Sequence, residues 1–504
     1  MSQKTQLLIG DILRRNASVV PARTAAWMAG KSLTFRQLNE ISNRFAWALH
    51  DQGFGYGDRI VCWTETSLDV LPIFMACAKL GAVYAPLNAR YNAEEAIPVT
   101  ELSKPVLIIA DEAHIADAIV VKNATGVASL ASLGDFSASG NDLNFRLAPG
   151  QSSGNTQEYF EPQLKEEDPH VIFFTSGSTG MPKGVIISHK AHYLRTYQGL
   201  FVAEPEISIC MFPLFHMAGF ALILCAWQTR GEIVLVETPT AEVLLDAVQE
   251  RKGTRLYCIP AVWKRILDID SDKWDTSTLR FMDTGTSATP MELLVELKQR
   301  FPHADLRIFY GSTEVGSGTA LLDGDVMRKP GSVGQVSPGG ELKLAEGGEI
   351  CIRSDYLTDG YFDKPETTAE ALRDGWFHTG DIGALDDEGY LSVVGRLKEI
   401  IRTGGESVAP VEVEQVLLSC PGVLEIAVVG IPDLQWGETV CAIVIRDDSG
   451  AEVNLETLQQ HCADKLANFK KPRRLEFMDS FPKTPSTGQT QRTLLVEQIL
   501  AKNY

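Results

Sequence analysis

The chain has 504 residues, more than one hydrophobic core usually organises, so we expect at least two domains. Hydrophobic residues make up 44% of it and charged residues 22%, as in ordinary globular proteins. The formal net charge of −19 excludes a positive field over the whole surface, of the kind that attracts nucleic acid or anionic membranes. An anionic substrate would therefore need a local basic or Mg²⁺-loaded site.

The nine cysteines are scattered, and no two of them form a Cys-x-x-Cys pair. Many lie in apolar runs such as "FMACAKLG", so we interpret them as reduced core residues rather than disulfides or zinc ligands. The apolar patch near the N-terminus is too short for a signal peptide, and the longest apolar run, "FALILCAW", is too short to span a bilayer. The sequence therefore predicts a soluble, cytoplasmic protein without a transmembrane segment.

Short β-branched runs alternate with helical patterns in the first half of the chain. Residues 59–65 ("RIVCWTE") predict a strand, residues 68–82 ("LDVLPIFMACAKLGA") a buried helix, and residues 106–112 ("VLIIADE") another strand. Residues 135–170 are rich in Ser, Gly, Asn and acidic residues, which predicts a surface excursion. This alternation predicts an α/β fold with parallel βαβ layers.

The middle of the chain repeats the strand–helix–strand pattern and then changes its composition. Residues 279–287 ("LRFMDTGTS"), 290–301 ("PMELLVELKQRF") and 306–314 ("LRIFYGSTE") predict a strand, a helix and a strand. From about residue 330, Gly-rich turns separate short strands such as those of residues 339–354, "GGELKLAEGGEICIRS". We therefore expect a β-rich subdomain after the βα-layered sheets.

The last hundred residues or so predict a compact α+β unit. Its predicted elements are a helix at 410–420, strands at 425–433 and 438–447, a helix at 454–466 and a strand at 473–479. We therefore divide the chain into a large N-terminal domain, residues 1–396, and a small mobile C-terminal domain, residues 397–504, with a hinge near Lys398.

The sharpest motif is "TSGSTGMPKG" at residues 175–184, directly after the apolar run "HVIFF". Three glycines and four hydroxyl residues provide many N–H and O–H donors, and Lys183 adds a positive charge. Such a loop suits the β- and γ-phosphates of ATP. The P-loop pattern GxxxxGK[ST] is not met, because Met181 and Pro182 separate Gly180 from Lys183, and the kinase motifs HRD and DFG are absent. The alternative is a plain Gly/Ser surface loop.

With this loop the chain resembles the AMP-binding, or adenylate-forming, superfamily, in particular its acyl- and aryl-CoA synthetase branch. Five further motifs follow in the order typical of that family. They are "PLFHMAG" at 213–219, "YGSTE" at 310–314, "WFHTGD" at 376–381, "GRLKEIIRTGGE" at 395–406 and "PDLQWGE" at 432–438. The resemblance therefore covers nearly the whole chain.

The resemblance implies roles for residues of the predicted large domain. His216 would lie near the reacting carboxylate and help to gate the acyl tunnel, although a lone His beside an apolar helix is more often a core residue. Tyr310 would pack on adenine, Thr313 would contact the α-phosphate, and Glu314 would hold Mg²⁺, with Thr175 as a second candidate ligand. The place of "YGSTE" after a strand agrees, since open α/β sheets bind ligands at the carboxyl ends of their strands.

The resemblance also implies roles around the predicted hinge. Asp381 and Arg396 would bind the ribose, and Lys398 would be the hinge itself. Gly404 and Gly405 would let the backbone approach the pantetheine arm of CoA. The predicted catalytic positions are Thr175, Lys183, His216, Thr313, Glu314 and Gln489. The predicted cofactor-binding residues are Ser176, Gly177, Ser178, Thr179, Gly180, Tyr310, Gly311, Ser312, Asp381, Arg396, Lys398, Gly404, Gly405 and Glu406.

One departure from the family pattern lies near the C-terminus. The family has a loop of the form Pro-Lys-Thr-x-x-Gly-Lys, whose last lysine bridges the substrate carboxylate and the α-phosphate. Here residues 482–489 read "PKTPSTGQ", with one extra residue and with Gln489 at the position of that lysine. Three interpretations stay open: an introduced substitution that stalls the first step, natural divergence in which Lys483 or another base takes over, and a paralogue that binds nucleotide without turnover. The other motifs favour an enzyme.

The resemblance implies an ATP-dependent acyl-CoA synthetase that uses Mg²⁺ and CoA and forms an acyl-adenylate. The uncharged run after His216, together with Val262 and Trp263, suits a fatty, alicyclic or aromatic acid. In the segment 283–290, Thr286 and Ser287 depart from the family's small-residue turn, so the shape of this pocket stays open. Two alternatives are an adenylating enzyme that loads a carrier protein and a nucleotide-binding paralogue with weakened catalysis. We expect no nucleic-acid partner, and a homodimer is one assembly left open.

Overall fold

Apolar β-branched runs form the strands of this protein, and amphipathic runs form its helices. The structure is a computed structural model that describes residues 6–134, 143–148, 150, 154–175, 182–197, 204–270, 273–403, 406–448, 450–463, 465–483 and 489–502. Two compact units emerge from it. The first comprises residues 1–341 and 353–377, and the second comprises residues 342–352 and 378–504. The predicted division at residue 396, with a hinge near Lys398, stays a prediction.

The strands are numbered in chain order. They are β1 Thr24–Met28, β2 Lys31–Thr34, β3 Arg59–Trp63, β4 Val83–Pro86, β5 Leu107–Ala110, β6 Ser129–Leu133, β7 Phe145–Leu147, β8 Pro169–Thr175, β9 Lys183–Ser188, β10 Ile207–Cys210, β11 Glu232–Leu235, β12 Arg255–Tyr257, β13 Phe281–Gly285, β14 Asp305–Ser312, β15 Gly316–Leu321, β16 Gln335–Val336, β17 Gly340–Leu344, β18 Glu349–Ser354, β19 Gly360–Tyr361, β20 Leu372–Arg373, β21 Trp376–Leu385, β22 Leu391–Arg396, β23 Ile401–Thr403, β24 Glu406–Val408, β25 Val423–Asp433, β26 Gly437–Arg446 and β27 Arg474–Phe477.

The helices are numbered in the same way. They are α1 Ile9–Val19, α2 Phe35–Asp51, α3 Val70–Leu80, α4 Ala93–Ser103, α5 Ile115–Thr125, α6 His189–Arg195, α7 Met217–Gln228, α8 Ala241–Arg251, α9 Pro260–Asp268, α10 Met291–Arg300, α11 Asp323–Val326, α12 Pro365–Ala371, α13 Pro410–Leu417, α14 Leu455–His461 and α15 Arg492–Ala501. Among the residues described, no helix combines the length and the apolar character that crossing a membrane requires.

Two sheets form the first unit. One has the strand order β16-β15-β14-β13-β12-β10-β11-β1-β2, and the other has the order β19-β9-β8-β4-β3-β5-β6-β7. The strands β10, β12, β13 and β14 are parallel neighbours in the first sheet. The carboxyl ends of these strands therefore meet along one edge of the sheet. The predicted α/β class is confirmed, and the segments predicted as strands 59–65 and 106–112 form β3 and β5.

The second unit contains a long antiparallel hairpin of β25 and β26, which is buried on both faces. Side chains alternate along a strand, so Val428 and Val440 face one core while Val429 and Cys441 face another. Helices α13 and α14 contribute to the first core, and Leu495 of α15 contributes to the second. A further sheet has the order β17-β18-β21-β20, and β22 pairs with β21. Helix α15 was not among the predicted elements.

Candidate active site

The phosphate-loop motif connects two antiparallel strands. Thr175 ends β8 and Lys183 begins β9, and the two residues are paired across the ladder. A Cβ atom at Gly184 would lie 2.8 Å from Cγ2 of Ile172, so a larger residue there would require neighbouring atoms to shift. Some predicted residues fall outside the described residues, namely Ser176, Gly177, Ser178, Thr179, Gly180, Gly404 and Gly405. The structure thus places both ends of the loop at the end of a buried strand.

A tyrosine that the sequence analysis missed links the loop lysine to the predicted metal ligand. The Nζ atom of Lys183 lies 4.9 Å from the centre of the Tyr361 ring, and the Tyr361 hydroxyl donates a 2.9 Å hydrogen bond to Oε1 of Glu314. Burial, reinforced by the Glu314 charge, raises the pKa of Tyr361 far above its usual value. The hydroxyl therefore stays protonated and donates to the carboxylate. Tyr361 thus contacts a cation with its ring and a carboxylate with its hydroxyl.

The "YGSTE" motif turns from β14 into β15, as the sequence predicted for a strand end. Tyr310 is half-buried within β14, and Ser312 ends that strand, with its hydroxyl accepting from the amide of Val315 at 3.4 Å. Gly311 cannot be replaced without a backbone shift, because a Cβ atom there would clash with the carbonyl oxygen of Gly316. The tight turn leaves Glu314 half-buried just beyond the strand.

An arginine from a distant helix fixes the backbone of this turn. The guanidinium of Arg195, at the end of α6, donates to the carbonyl oxygen of Thr313 at 3.0 Å and approaches that of Glu314 at 3.4 Å. The same group donates to the carbonyl oxygen of Tyr356 at 3.2 Å. Burial lowers the pKa of Arg195 to about 10, so it is still a cation at neutral pH. Arg195 thus holds the turn that carries Thr313 and Glu314, and no motif in the sequence marked it.

His216 precedes α7 and has an environment that keeps it neutral. Burial, followed by the charge of Arg90, lowers the pKa of His216 to about 4. Its Nε2 atom is buried and has no hydrogen-bond partner among the described residues, and its ring lies 4.8 Å from that of Phe215. Helix α7 behind it is almost entirely apolar. The role of His216 near the reacting carboxylate, as a gate of the acyl tunnel, stays a prediction.

Three aromatic side chains, on β12, on β14 and just after β10, cluster beside the carboxyl end of β12. Tyr257, at the end of β12, has its ring 5.2 Å from Phe212 and 6.0 Å from Phe309. Gly285 ends β13 between them, and a Cβ atom there would lie 2.7 Å from the Tyr257 hydroxyl. The next residue, Thr286, has φ +68°, which is unusual for a β-branched side chain and is typical of strained functional turns.

Two residues that the sequence suggests for an apolar acyl site lie in the buried core. Val262 and Trp263 both lie on α9 and are buried. The Trp263 indole is fully buried and donates to the carbonyl oxygen of Asp283 at 2.9 Å. Trp263 therefore supports the strand β13 from within the core, whereas Tyr257 and Phe309 form the aromatic cluster at the strand ends.

The second unit pairs the two predicted ribose-binding residues. Asp381 on β21 and Arg396 on β22 are cross-strand partners, and their side chains form a 3.2 Å ion pair. Lys398 is exposed within a short 3₁₀ turn that follows β22. Glu406 begins β24 and is paired with Thr403 of β23 across the predicted glycine pair. Asp381 and Arg396 are thus brought together, while Lys398 lies on the surface.

Gln489 lies at the far end of the altered terminal loop. It is half-buried, and the residues on either side of the loop meet in a short antiparallel bridge between Lys483 and Thr490. Lys483 forms a 2.7 Å ion pair with Glu425, and both side chains are about 40% exposed, at 41% and 42%. Residues 484–488 lie outside the described residues. The lysine proposed as a substitute base is therefore engaged with a carboxylate of its own unit.

Comparison with known proteins gives a family that fits this arrangement. Residues 13–362 match the model of the AMP-binding enzyme family, and residues 412–487 match that of the AMP-binding enzyme C-terminal domain. The chain is 32% identical to the long-chain-fatty-acid–CoA ligase FadD13 of Mycobacterium tuberculosis, over 98% of this chain and 99% of that protein. It is also 32% identical to a feruloyl-CoA synthase of an Amycolatopsis species, over 94% of this chain and 95% of that protein.

A solved structure shows the same similarity in three dimensions. It is that of the anthranilate CoA ligase AuaEII in complex with anthranoyl-AMP, with a TM-score of 0.87 and 25% sequence identity. The superposition covers 99% of this chain and 98% of the other chain. The likeness therefore extends over both units of the fold.

Proposed function

The chain belongs to the AMP-binding enzyme family, and from that premise we infer that it is an ATP-dependent acid–thiol ligase. It converts a carboxylic acid, ATP and CoA into acyl-CoA, AMP and pyrophosphate by way of an acyl-adenylate. ATP, Mg²⁺ and CoA are the cofactors and co-substrates of this reaction. Within the family, the observation that carries the assignment is the Lys183–Tyr361–Glu314 cluster beside the phosphate-loop motif.

We propose that the first half-reaction takes place at this cluster. The substrate carboxylate attacks the α-phosphorus of ATP in line, forming a new oxygen–phosphorus bond as pyrophosphate leaves. Lys183 lies where its charge offsets that of the leaving phosphates, and Thr313 directs its hydroxyl to the α-phosphate. Glu314 keeps one carboxylate oxygen hydrogen-bonded to Tyr361, which orients the other oxygen for a metal. Mg²⁺ bound there, with Thr175 as the second candidate ligand, would neutralise phosphate charge.

We propose that the second half-reaction uses the ribose pair and the hinge. The CoA thiolate attacks the acyl carbonyl, a carbon–sulfur bond forms, and AMP leaves as its carbon–oxygen bond breaks. Asp381 and Arg396 hold the ribose hydroxyls, and Gly404, Gly405 and Glu406 border the path of the pantetheine arm. Lys398 is exposed in a short turn between two strands, a position where a hinge can absorb backbone rotation.

The proposed substrate is a fatty, alicyclic or aromatic monocarboxylic acid. The apolar face of α7 and the aromatic cluster of Tyr257, Phe212 and Phe309 support an uncharged acyl group. The neutral state of His216 agrees, since a cation would attract a second carboxylate.

A cytoplasmic location is supported by the nine buried, free cysteines. A homodimer remains a proposal that light scattering can test.

Acid-dependent pyrophosphate exchange, measured over a panel of acids, tests the function. Each active acid is then assayed for thioester formation with CoA and with a phosphopantetheinylated carrier protein. We expect exchange with apolar acids and transfer to free CoA. Binding of ATP without exchange for any acid would instead support the silent paralogue, and transfer to the carrier protein alone would support the carrier-loading alternative.

Replacing the hinge lysine separates the two half-reactions. Lys398→Pro fixes φ and removes an N–H, so it should slow thioester formation about tenfold or more while adenylation changes little. Single-turnover rates of each half-reaction provide the measurement. An equal loss in both rates would count against rotation at this position. The control is Lys398→Ala, which leaves the backbone free to rotate. A proline at the exposed Lys343 would not be a suitable control, because Lys343 lies within strand β17.

A further inference from the structure

Three metal-binding side chains meet on one face of the sheet in the second unit, outside the site described above. Glu349 and Cys351 occupy alternate positions of β18, so their side chains point to the same face. His378 projects from β21, the neighbouring strand in the sheet order. One ligand atom from each residue lies within 4.8 Å of the others. Two strands separated along the chain thus place a carboxylate, a thiol and an imidazole together.

The distances within this cluster are close to those of a chelate. Sγ of Cys351 lies 3.3 Å from Nδ1 of His378, and Oε2 of Glu349 lies 2.8 Å from the same nitrogen. In a tetrahedral zinc site the sulfur–nitrogen and nitrogen–oxygen separations are about 3.6 Å and about 3.3 Å, from the usual metal–ligand bond lengths. A shift of about half an ångström would therefore open the cluster around an ion.

Burial and a hydrogen bond restrict the motion of these three side chains. Cys351 is fully buried, Glu349 is 8% exposed, and the His378 side chain is 12% exposed. The amide of Gly380 donates a 3.1 Å hydrogen bond to Oε1 of Glu349, so the carboxylate is held with its other oxygen toward the histidine. Outer hydrogen bonds of this kind orient the ligands of metal sites.

A nucleophilic thiol explains the arrangement less well. In a catalytic thiol–imidazole–carboxylate triad, thiol and carboxylate contact opposite ring nitrogens: one nitrogen takes the thiol proton, and the carboxylate orients the ring through the N–H of the other. Here Cys351 and Glu349 both approach Nδ1 of His378, and the thiol is fully buried. Three donors converging on a common point suit coordination of an ion.

We propose that Glu349, Cys351 and His378 form a binding site for a thiophilic divalent transition-metal ion such as Zn²⁺. The protein supplies three ligands, and a water molecule would complete a tetrahedral shell. Binding releases the thiol proton to solvent, because the thiolate is the ligand. Thiolate and imidazole ligands select Zn²⁺ and Co²⁺ against Mg²⁺, so this site is chemically distinct from the one at Glu314. The ion would tie β18 to the part of β21 that leads to Asp381.

Titration of the full-length enzyme with Co²⁺ alone tests this site, since a cobalt–thiolate bond gives a charge-transfer band in the near ultraviolet. The metal-free enzyme is titrated in excess Mg²⁺ and without ATP, so that carboxylate sites are occupied by the harder ion. We expect one equivalent of Co²⁺ per chain, displacement by Zn²⁺, and a melting temperature that rises with Zn²⁺. No thiolate band in the unmodified enzyme would overturn the proposal.

Matched variants identify the ligands. Cys351→Ser should abolish the band, and His378→Gln should weaken Co²⁺ binding at least tenfold. Cys441→Ser removes an equally buried thiol from the same unit and should leave the band unchanged. Retention of the band in Cys351→Ser, or its loss in Cys441→Ser as well, would overturn the assignment. Melting temperatures in EDTA confirm that each variant is folded, and all readouts are independent of ligase activity.

Discussion

The Lys183–Tyr361–Glu314 cluster of the first unit and the terminal loop of the second unit differ in the groups that their lysines contact. In the first unit, Lys183 lies over the ring of Tyr361, and the Tyr361 hydroxyl is hydrogen-bonded to Glu314. In the second unit, Lys483 is paired with Glu425, and Gln489 stands where the resemblance implies a bridging lysine. The proposed phosphate-binding charges are therefore present in the first unit, and the proposed bridging charge is missing from the second.

If the proposed roles hold, this difference affects the adenylation step. Lys183 and Glu314 would support ATP and its metal, whereas Gln489 brings no charge to the position where the resemblance implies a lysine. An exposed ion pair such as Lys483–Glu425 contributes only about 0–1 kcal/mol, so the pair costs little to break. The comparison can therefore be tested one residue at a time.

The largest effect is expected at the metal ligand. Glu314→Ala should lower the rate of adenylate formation about a thousandfold or more, because removal of a metal carboxylate loses several kcal/mol of transition-state stabilisation. The Mg²⁺ dependence of single-turnover adenylation measures this loss. Glu341→Ala removes an exposed carboxylate of the same unit and should have little effect. Near-normal turnover in Glu314→Ala would refute the metal-binding role.

The next effect concerns the missing lysine. Gln489→Lys should raise the rate of adenylation on the order of a hundredfold or more, since a charged group here is worth roughly 3–4 kcal/mol in the transition state. Thioester formation from preformed acyl-adenylate should change much less. Single-turnover rates of both half-reactions provide the measurement.

A control variant separates Gln489 from its neighbour. Lys483→Ala removes a lysine that is already paired with Glu425, and we expect it to change adenylation little. If Gln489→Lys has no effect while Lys483→Ala abolishes adenylation, Lys483 performs the role and our placement of Gln489 is wrong.

A smaller effect is expected from the replacement of Tyr361, which contacts both Lys183 and Glu314. Tyr361→Phe keeps the ring under Lys183 but removes the hydrogen bond to Glu314, which is worth about 1.5 kcal/mol, or about tenfold in rate. The concentration of Mg²⁺ at half-maximal rate should rise, because the carboxylate loses its orientation. Tyr197→Phe removes a hydroxyl from an exposed ring and serves as the control. An unchanged Mg²⁺ requirement in Tyr361→Phe would show that Glu314 needs no such support.

A separate prediction concerns the stability of the first unit in acid. His170, His189 and His192 are fully buried, and burial lowers the pKa of each, to about 4 for His189. Between the unfolded pKa near 6.5 and these lowered values, the unfolded chain binds more protons, so stability falls as pH falls, by up to about 1.4 kcal/mol per pH unit for each group. We therefore expect the stability of the first unit to begin to fall below about pH 6.5.

Replacement of one buried histidine should reduce this acid sensitivity. Both ring nitrogens of His170 lack a hydrogen-bond partner among the described residues, so His170→Phe loses no such bond. The variant should gain stability relative to the unmodified protein at pH 5 more than at pH 8. Denaturant unfolding at the two pH values measures this, with the exposed His303→Gln as control. An equal change at both pH values would show that protonation of His170 does not limit stability.

Local patterns were sufficient to predict much of the fold. The runs that became β3, β5, β13 and β14, and the helices α3 and α10, were recognisable because period and composition are properties of neighbouring residues. Helix α15 was missed, because the burial of its two core residues, Leu495 and Ile499, depends on their packing against the β25–β26 hairpin.

The sequence by itself determined the α/β class, the phosphate-loop motif and the strand-end turn at Glu314, because each is encoded in a few consecutive residues. Only the tertiary structure decided that Tyr361 contacts Glu314 across 47 positions and that Arg195 holds Thr313 across 118 positions. It also brought Cys351 beside His378, although no Cys-x-x-Cys spacing marked a metal site. These contacts join strands and helices that are distant along the chain, and the packing of whole elements, rather than local preference, sets the distances between them.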